Sequence, residues 1–89
     1  MNNNFYFCNL KNSDFSGGYA GSPNFYNSNL ENTNFKNKHF GGGTSFRKCN
    51  LRNADFRKSY VTGDFRGADI RNAKGLDLSK IIVDNTTLL

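Results

Sequence analysis

The chain has 89 residues, enough for one small domain, and it is polar, with 36% hydrophobic residues, fifteen asparagines and a net charge of +5. It contains no run of about 18 apolar residues, which excludes a transmembrane helix, and no leader of signal-peptide type. Its two cysteines, Cys8 and Cys49, match neither a disulfide framework nor a zinc-binding pattern, and both are expected to lie buried and reduced. We therefore expect a soluble, cytoplasmic protein.

Apolar residues recur every five positions over most of the chain. The stretch NFYNSNLENTNFKN, residues 24–37, places Phe25, Leu30 and Phe35 at this spacing. Residues five apart fall on different sides of an α-helix and on opposite faces of a β-strand, so neither element could bury all of them. A chain that turns a corner after every five residues would point them all at one axis. The period therefore predicts a square coil.

A second period of about twenty residues supports this coil, because the apolar centres then sort into four faces. Aromatic residues dominate the first and third faces and aliphatic residues the second, while Phe7 alone among the nine phenylalanines falls outside the pattern. The predicted core residues are Phe5, Leu10, Phe15, Phe25, Leu30, Phe35, Phe40, Phe46, Leu51, Phe56, Phe65 and Ile70.

The fourth face, with Ala20, Phe40 and Val61, is expected to be irregular. One residue is inserted within GGGTS, residues 41–45, and one is lost between Val61 and Phe65. Glycine tolerates the backbone angles that such slips require. The residue two positions before each centre is small or compact almost everywhere. On the fourth face this residue is Lys38, whose ammonium group would be costly to bury without a partner. We expect a local bulge that turns Lys38 outward.

Several five-residue units resemble the pentapeptide-repeat family, in which a small residue is followed by Asp or Asn, then Leu or Phe, then two variable residues. CNLRN (49–53) and ADFRK (54–58) match this motif closely, as does ADIRN (68–72), and SNLEN (28–32) and TNFKN (33–37) are also good matches. The resemblance covers roughly residues 3–75. It implies an all-β fold, a right-handed quadrilateral β-helix of about four coils, and it implies little about activity, because the family spans many roles.

Residues 1–75 are predicted to form this β-helix, and residues 76–89, LDLSKIIVDNTTLL, to form a short C-terminal cap. The last segment breaks the period and is rich in apolar residues, and solenoids need covered ends. No comparable segment precedes Asn3. An uncovered first coil would allow end-to-end self-association, or it would belong to a longer parent protein.

We find no catalytic, cofactor-binding or metal-binding pattern, and we predict no enzyme activity, cofactor or metal site. The single histidine, His39, is expected to be a surface turn residue. GGGTSF, residues 41–46, is not followed by the Gly-Lys-Ser/Thr of a phosphate-binding loop. Four aspartates each precede a core centre, where turn chemistry accounts for them: Asp14, Asp55, Asp64 and Asp69.

The most distinctive surface feature is a basic segment, residues 44–74, which alone accounts for the net charge of +5. On the predicted coil Arg47 stacks beside Arg66, and Arg52 beside Arg71. Such like-charge pairs are mildly destabilising unless they are solvated, paired with carboxylates or bound to an anion. The predicted partner-binding residues are Arg47, Arg52, Arg57, Arg66 and Arg71.

These features predict a non-enzymatic scaffold or protein-interaction module that docks an unknown protein or another acidic partner on its basic face, with no membrane partner. A solvated face without a partner is the simpler reading. Direct nucleic-acid binding is the alternative; it predicts a steep salt dependence, although no aromatic residues are interleaved with the arginines. Some pentapeptide-repeat proteins inhibit or protect DNA gyrase and topoisomerase by resembling duplex DNA, a role that needs an acidic rod, and the positive charge here disfavours it.

Overall fold

The computed structural model describes residues 3–89, which wind into a coil of short extended segments. Successive turns run parallel, and the bridged residues are 18 to 21 positions apart in the sequence. Backbone hydrogen bonds join the turns, for example from Phe25 N–H to the Ser45 carbonyl at 2.9 Å. Within the described residues the strands are isolated bridges, and the one helix is a 3₁₀ helix, Leu78–Lys80. No helix in this range is long and apolar enough to cross a membrane.

The bridges form four columns, which define the four faces of the coil. Most bridged residues precede an inward-pointing centre, and three further residues then turn the next corner. Lys74 precedes Gly75 instead, and Leu88 precedes the exposed Leu89. The bridged residues are Asn4, Asn24, Ser45, Asp64 and Ile82 on the first face; Asn9, Asn29, Asn50, Asp69 and Leu88 on the second; Asp14, Asn34, Asp55 and Lys74 on the third; and Tyr19, His39 and Tyr60 on the fourth.

Stacked phenylalanine rings fill the centre of the coil. On the first face the Phe25 ring lies 5.2 Å from Phe46, and on the third face Phe35 lies 4.9 Å from Phe56, in both cases with the ring planes nearly parallel. Rings from different faces meet edge to face, as Phe35 and Phe46 do at 5.7 Å. Both arrangements are favoured by the ring quadrupole, and each pair contributes about 0.5–1.5 kcal/mol beyond its buried area.

Nine of the twelve predicted core residues lie in the buried core. The other three, Phe5, Leu10 and Phe15, pack against that core but are only partly buried. They belong to the first turn, which has a neighbouring turn on one side only. The core therefore becomes less enclosed towards the N-terminal end of the coil.

Asparagine fills the corners of the coil in two roles. Two positions after most centres the backbone is left-handed, a conformation that asparagine tolerates better than most residues. One position before a centre, Asn or Asp accepts a hydrogen bond from a backbone N–H two residues on, as Asn24 does from Tyr26 at 3.0 Å. The left-handed asparagines are Asn12, Asn27, Asn32, Asn37, Asn53 and Asn72, with φ between 60° and 65°.

The fourth face carries the inserted residue at Gly41. In a regular corner the hydrogen bond that closes the turn is accepted by the carbonyl of the centre, as Phe25 accepts from the Ser28 N–H. After the centre Phe40 the acceptor is instead the next residue, because the Thr44 N–H donates to the Gly41 carbonyl at 3.2 Å. A Cβ at Gly41 would lie 2.9 Å from the Gly21 carbonyl oxygen. Only glycine fits where the two turns approach so closely.

The prediction that a bulge turns Lys38 outward is wrong. The backbone is regular at this point, because the Lys38 N–H donates to the Phe35 carbonyl at 3.3 Å, and the inserted residue comes three positions later. The Lys38 side chain is half-buried and lines the same cavity as Phe35 and Phe40. Its ammonium group donates to the Gly17 carbonyl at 2.9 Å, which gives the charge a polar partner inside the coil.

Residues 76–89 extend the ladder of the first two faces. Ile82 bridges to Asp64 and Leu88 to Asp69, and the 3₁₀ helix precedes both bridges. The Thr87 hydroxyl donates to the Phe65 carbonyl at 3.0 Å, and Ile81 is buried in the core. The division of the chain at residue 75 into a β-helix and a separate capping segment stays a prediction.

Replacing Phe35 with alanine should lower the free energy of unfolding by about 3–5 kcal/mol, because the ring is fully buried among other rings and its loss leaves a cavity. Phe7→Ala is the matched control, since Phe7 is 71% exposed, and it should change stability by about 0.5 kcal/mol or less. Urea denaturation followed by circular dichroism measures both variants. Equal losses in the two variants would contradict the stacked core.

Candidate interaction surface

The five predicted arginines lie on three neighbouring faces of the coil. Each follows a core centre directly, so its side chain points outward. Arg47 and Arg66 lie on the first face, Arg52 and Arg71 on the second, and Arg57 on the third. Their side chains are between 44% and 57% exposed. We call this set the arginine surface.

Three of these arginines form close ion pairs with the aspartate two positions earlier. The Arg57 guanidinium lies 2.7 Å from an Asp55 carboxylate oxygen, and its Nε donates to the same carboxylate at 3.0 Å. Arg66 with Asp64 and Arg71 with Asp69 repeat this geometry. In an extended segment the two residues that flank an inward centre point to the same side, so the sequence Asp-centre-Arg produces the pair directly.

The other two arginines reach across to the next turn of the coil. The Arg47 Nε lies 3.9 Å from Asp64, and the Arg52 Nε lies 3.7 Å from Asp69. Arg52 also lies 4.0 Å from Glu31, in the turn before. The predicted like-charge stacks therefore contain a shared carboxylate between the guanidinium groups, which offsets their repulsion.

Lysines form a second cationic site, on the corner between the third and fourth faces. Lys36, Asn37, Arg57 and Lys58 line an open cleft of about 340 Å³. Arg57 is engaged by Asp55, whereas within residues 3–89 neither Lys36 nor Lys58 forms an ion pair. The prediction from sequence named the arginine here and missed the lysines, because the turn that brings Lys36 beside Lys58 is not visible as a local charge run.

An exposed column of aromatic rings lies next to this cleft, on the fourth face. The His39 ring lies 5.3 Å from Tyr19 and 4.7 Å from Tyr60. Tyr19 is 71% exposed and Tyr60 52% exposed. His39 lies on the surface as expected, but the sequence did not indicate that it is sandwiched between two tyrosines 20 and 21 positions away.

Within residues 3–89, the first turn of the coil pairs with one neighbouring turn only. A cavity of about 230 Å³ at this end is lined by residues of the first two turns, including Phe5, Phe15 and Tyr19. Phe7 projects 71% exposed from the same turn and has a φ of 56°, an unusual conformation for a bulky residue. The first turn therefore presents apolar surface that later turns bury.

The two thiols differ in their surroundings. Cys49 is buried, its thiol donates to the Phe25 carbonyl at 2.9 Å, and burial raises its pKa to about 12. The prediction that Cys8 is buried is wrong, since Cys8 is only half-buried in a turn that pairs with one neighbouring turn among the described residues. Among the described residues, no group of three or more His, Cys, Asp and Glu side chains is arranged to hold a metal ion.

Comparison with known proteins identifies the repeat. The family described as Pentapeptide repeats matches residues 24–63, in eight copies. Residues 24–63 of the chain are therefore pentapeptide repeats. The predicted family is thereby confirmed, and the coil is a right-handed quadrilateral β-helix.

One solved structure similar to this pentapeptide-repeat protein is a trypsin-treated variant of QnrB1, a plasmid-mediated fluoroquinolone resistance protein. The two share 24% sequence identity, with a TM-score of 0.49. The match covers 94% of this chain and 42% of the QnrB1 chain, so this chain spans less than half the length of that protein. The search of curated proteins found no match.

Ion pairing keeps the aspartates of this pentapeptide-repeat protein charged. Hydrogen bonds from the Arg57 side chain lower the pKa of Asp55 from its ordinary value of 3.8 to about 2. Hydrogen bonds from Arg66 and Arg71 likewise lower the pKa of Asp64 and of Asp69. At neutral pH the arginine surface is therefore an ordered array of opposite charges with a positive excess.

The Asp55 pair predicts a loss of stability in acid. Because the folded-state pKa lies below the ordinary value, the stabilisation is present above pH 3.8 and is lost as the pH falls towards about 2. The difference in stability between the wild type and Asp55→Asn should shrink over this range. Thermal melts at a series of pH values test this, and a difference that stays constant from pH 3.8 to about 2 would contradict it.

Proposed function

We propose that this protein is a non-enzymatic repeat scaffold that docks an acidic protein partner on its arginine surface. The observation that carries the proposal is that aspartates hold three guanidinium groups at 2.7 Å, those of Arg57, Arg66 and Arg71. Two more guanidinium groups lie 3.7 and 3.9 Å from a carboxylate, and all five arginine side chains remain about half exposed. Membership of the pentapeptide-repeat family supports a binding role over an enzymatic one.

Fixed guanidinium groups suit recognition of carboxylates. A guanidinium presents five N–H donors in a planar fork, and a neighbouring Asp55, Asp64 or Asp69 uses only one edge of each. Pairing with aspartate also restricts the arginine side chains before binding, so binding loses less side-chain entropy. An acidic protein surface that supplies carboxylates in register with the turns would then gain specificity from the array.

Direct binding of nucleic acid through the same surface is the alternative for this site. Phosphate contacts would make the affinity fall steeply between low and physiological salt. The idea that the protein mimics duplex DNA has less support, because the net charge is +5 and the longest dimension is 30 Å. We place the protein in the cytoplasm as part of this proposal, since both cysteines are free thiols.

We further propose that residues 76–89 act as the cap of the C-terminal end and that the open N-terminal end stacks on a second copy of the chain. Residues 3–23 carry one positive charge, Lys11, and one negative charge, Asp14, so two such ends would meet without net repulsion. The partly buried Phe5 and Phe15 rings would become covered on stacking.

Arg52→Gln/Arg71→Gln should abolish capture of an acidic protein partner from the native cell, because it removes two guanidinium groups of one column. Lys74→Gln/Lys80→Gln is the matched control, with the same change in net charge away from this column, and it should retain the partner. The measurement is quantitative affinity purification of the three proteins side by side. If both variants recover the same proteins as the wild type, the arginine surface is a solvated face and the proposal fails.

Tyr6→Lys/Phe7→Lys should convert a concentration-dependent dimer into a monomer, because like charges would face each other across stacked ends. Lysine occupies equivalent corner positions at Lys11 and Lys58, so the substitution is compatible with the coil. Asn32→Lys/Asn53→Lys adds the same charge on the side of the coil and should still dimerise. Sedimentation equilibrium measures the masses, and a wild type that is monomeric at every concentration would contradict the stacking.

A further inference from the structure

The fourth face combines rings and cations in a way that the arginine surface does not. Tyr19, His39 and Tyr60 form one column of neighbouring rings, and within residues 3–89 no further residue bridges to either tyrosine at its outer end. Tyr19 meets His39 edge to face at an interplanar angle of 60°, and the His39 ring is tilted by 38° against Tyr60. Both tyrosines are more than half exposed, so a planar group could pack on either ring with favourable contact.

The cationic cleft follows the same register as the ring column. Asn37 in the cleft precedes His39 by two residues, and one turn later Lys58 precedes Tyr60 by two residues. The cationic cleft therefore lies beside the two turns that carry His39 and Tyr60. Arg57 is committed to Asp55 at 2.7 Å, which leaves the ammonium groups of Lys36 and Lys58 to meet an incoming anion.

We propose that this surface binds single-stranded nucleic acid, with bases stacked on the rings of Tyr19 and Tyr60 and phosphates held by Lys36 and Lys58. Each nucleotide of a single strand offers a planar base and an anionic phosphate, and this surface places exposed tyrosine rings beside lysines. Stacking on aromatic side chains beside a cationic groove is sufficient for binding without sequence preference.

Three competing ligands fit the surface less well. Duplex nucleic acid keeps its base faces covered, so it could use the lysines but could not use the rings. An acidic protein surface supplies carboxylates without a planar group at each charge. An acidic polysaccharide carries charge and rings, but its sugar rings lack the π-face that continues an aromatic stack.

This inference is independent of the proposed docking of an acidic protein. The docking of an acidic protein depends on Arg52 and Arg71, on the second face, whereas this site depends on Tyr19, Tyr60, Lys36 and Lys58, on the third and fourth faces. A failure of one proposal would leave the other in place. The two can be tested with separate sets of variants.

The test is fluorescence anisotropy with labelled oligothymidylate and oligouridylate of about 10 nucleotides, titrated with the full chain at a series of salt concentrations. Tyr19→Ala/Tyr60→Ala should weaken binding by roughly thirtyfold or more, with its salt dependence unchanged. Lys36→Gln/Lys58→Gln should reduce the slope of log affinity against log salt by about 1.4, because each phosphate contact with a single strand contributes about 0.7.

The control variants place the same changes elsewhere on the coil. Tyr6→Ala removes an exposed tyrosine from the first face, and Lys74→Gln/Lys80→Gln removes two lysines outside the cleft; both should bind like the wild type. Circular dichroism melts confirm that each variant is folded, which is expected because all the substituted side chains except Lys36 are exposed and Lys36 lies at a corner.

Several results would overturn the proposal. One is the absence of saturable binding even at low salt. Another is an affinity for duplex of the same length, or for dextran sulfate, equal to that for the single strand, because that would mean charge alone drives binding. A third is unchanged affinity of Tyr19→Ala/Tyr60→Ala, which would show that the rings take no part.

Discussion

Parallel hydrogen bonding between consecutive turns determines the geometry of this coil. The N–H of one centre donates to the carbonyl of a residue one turn later, as Leu30 does to Asn50 at 2.8 Å, so each inward side chain lies directly over another. The spacing that suits the backbone also brings two phenylalanine rings to within about 5 Å, a distance at which they stack. Backbone pairing and core packing are therefore satisfied by the same arrangement.

The remaining backbone requirements of this fold concern mostly the corners between faces. Each corner needs a left-handed residue and a side chain that bonds to the backbone, and asparagine can do both. The same column that holds Ser28 and Thr87 lets their hydroxyls donate to carbonyls of the neighbouring turn, so polar inward positions are satisfied as well. Within residues 3–89, no buried side-chain nitrogen or oxygen lacks a hydrogen-bond partner. A polar chain can therefore fold around a narrow apolar centre.

The surfaces that carry the proposed functions follow from the same columns. Because equivalent outward positions recur on every turn, residues about 20 apart in the sequence become neighbours, and they can be varied without disturbing the core. On one side this places Arg52 between Glu31 and Asp69. On another it places His39 between two tyrosines. The first arrangement places carboxylates beside a guanidinium group, and the second brings together three rings from residues that are distant in the sequence.

The sequence by itself determined the period of five, the four faces, the glycine-rich irregular corner and the inward residues such as Phe25 and Phe46. These features follow from the size and spacing of side chains along the sequence, and they do not depend on which residue of the next turn each side chain contacts. Tertiary structure decided the direction of Lys38, the partial exposure of Cys8 and the carboxylate shared by Arg47 and Arg66. Those outcomes depend on which residue of the neighbouring turn lies beside each side chain. The register between turns decides this, and one inserted and one deleted residue shift that register.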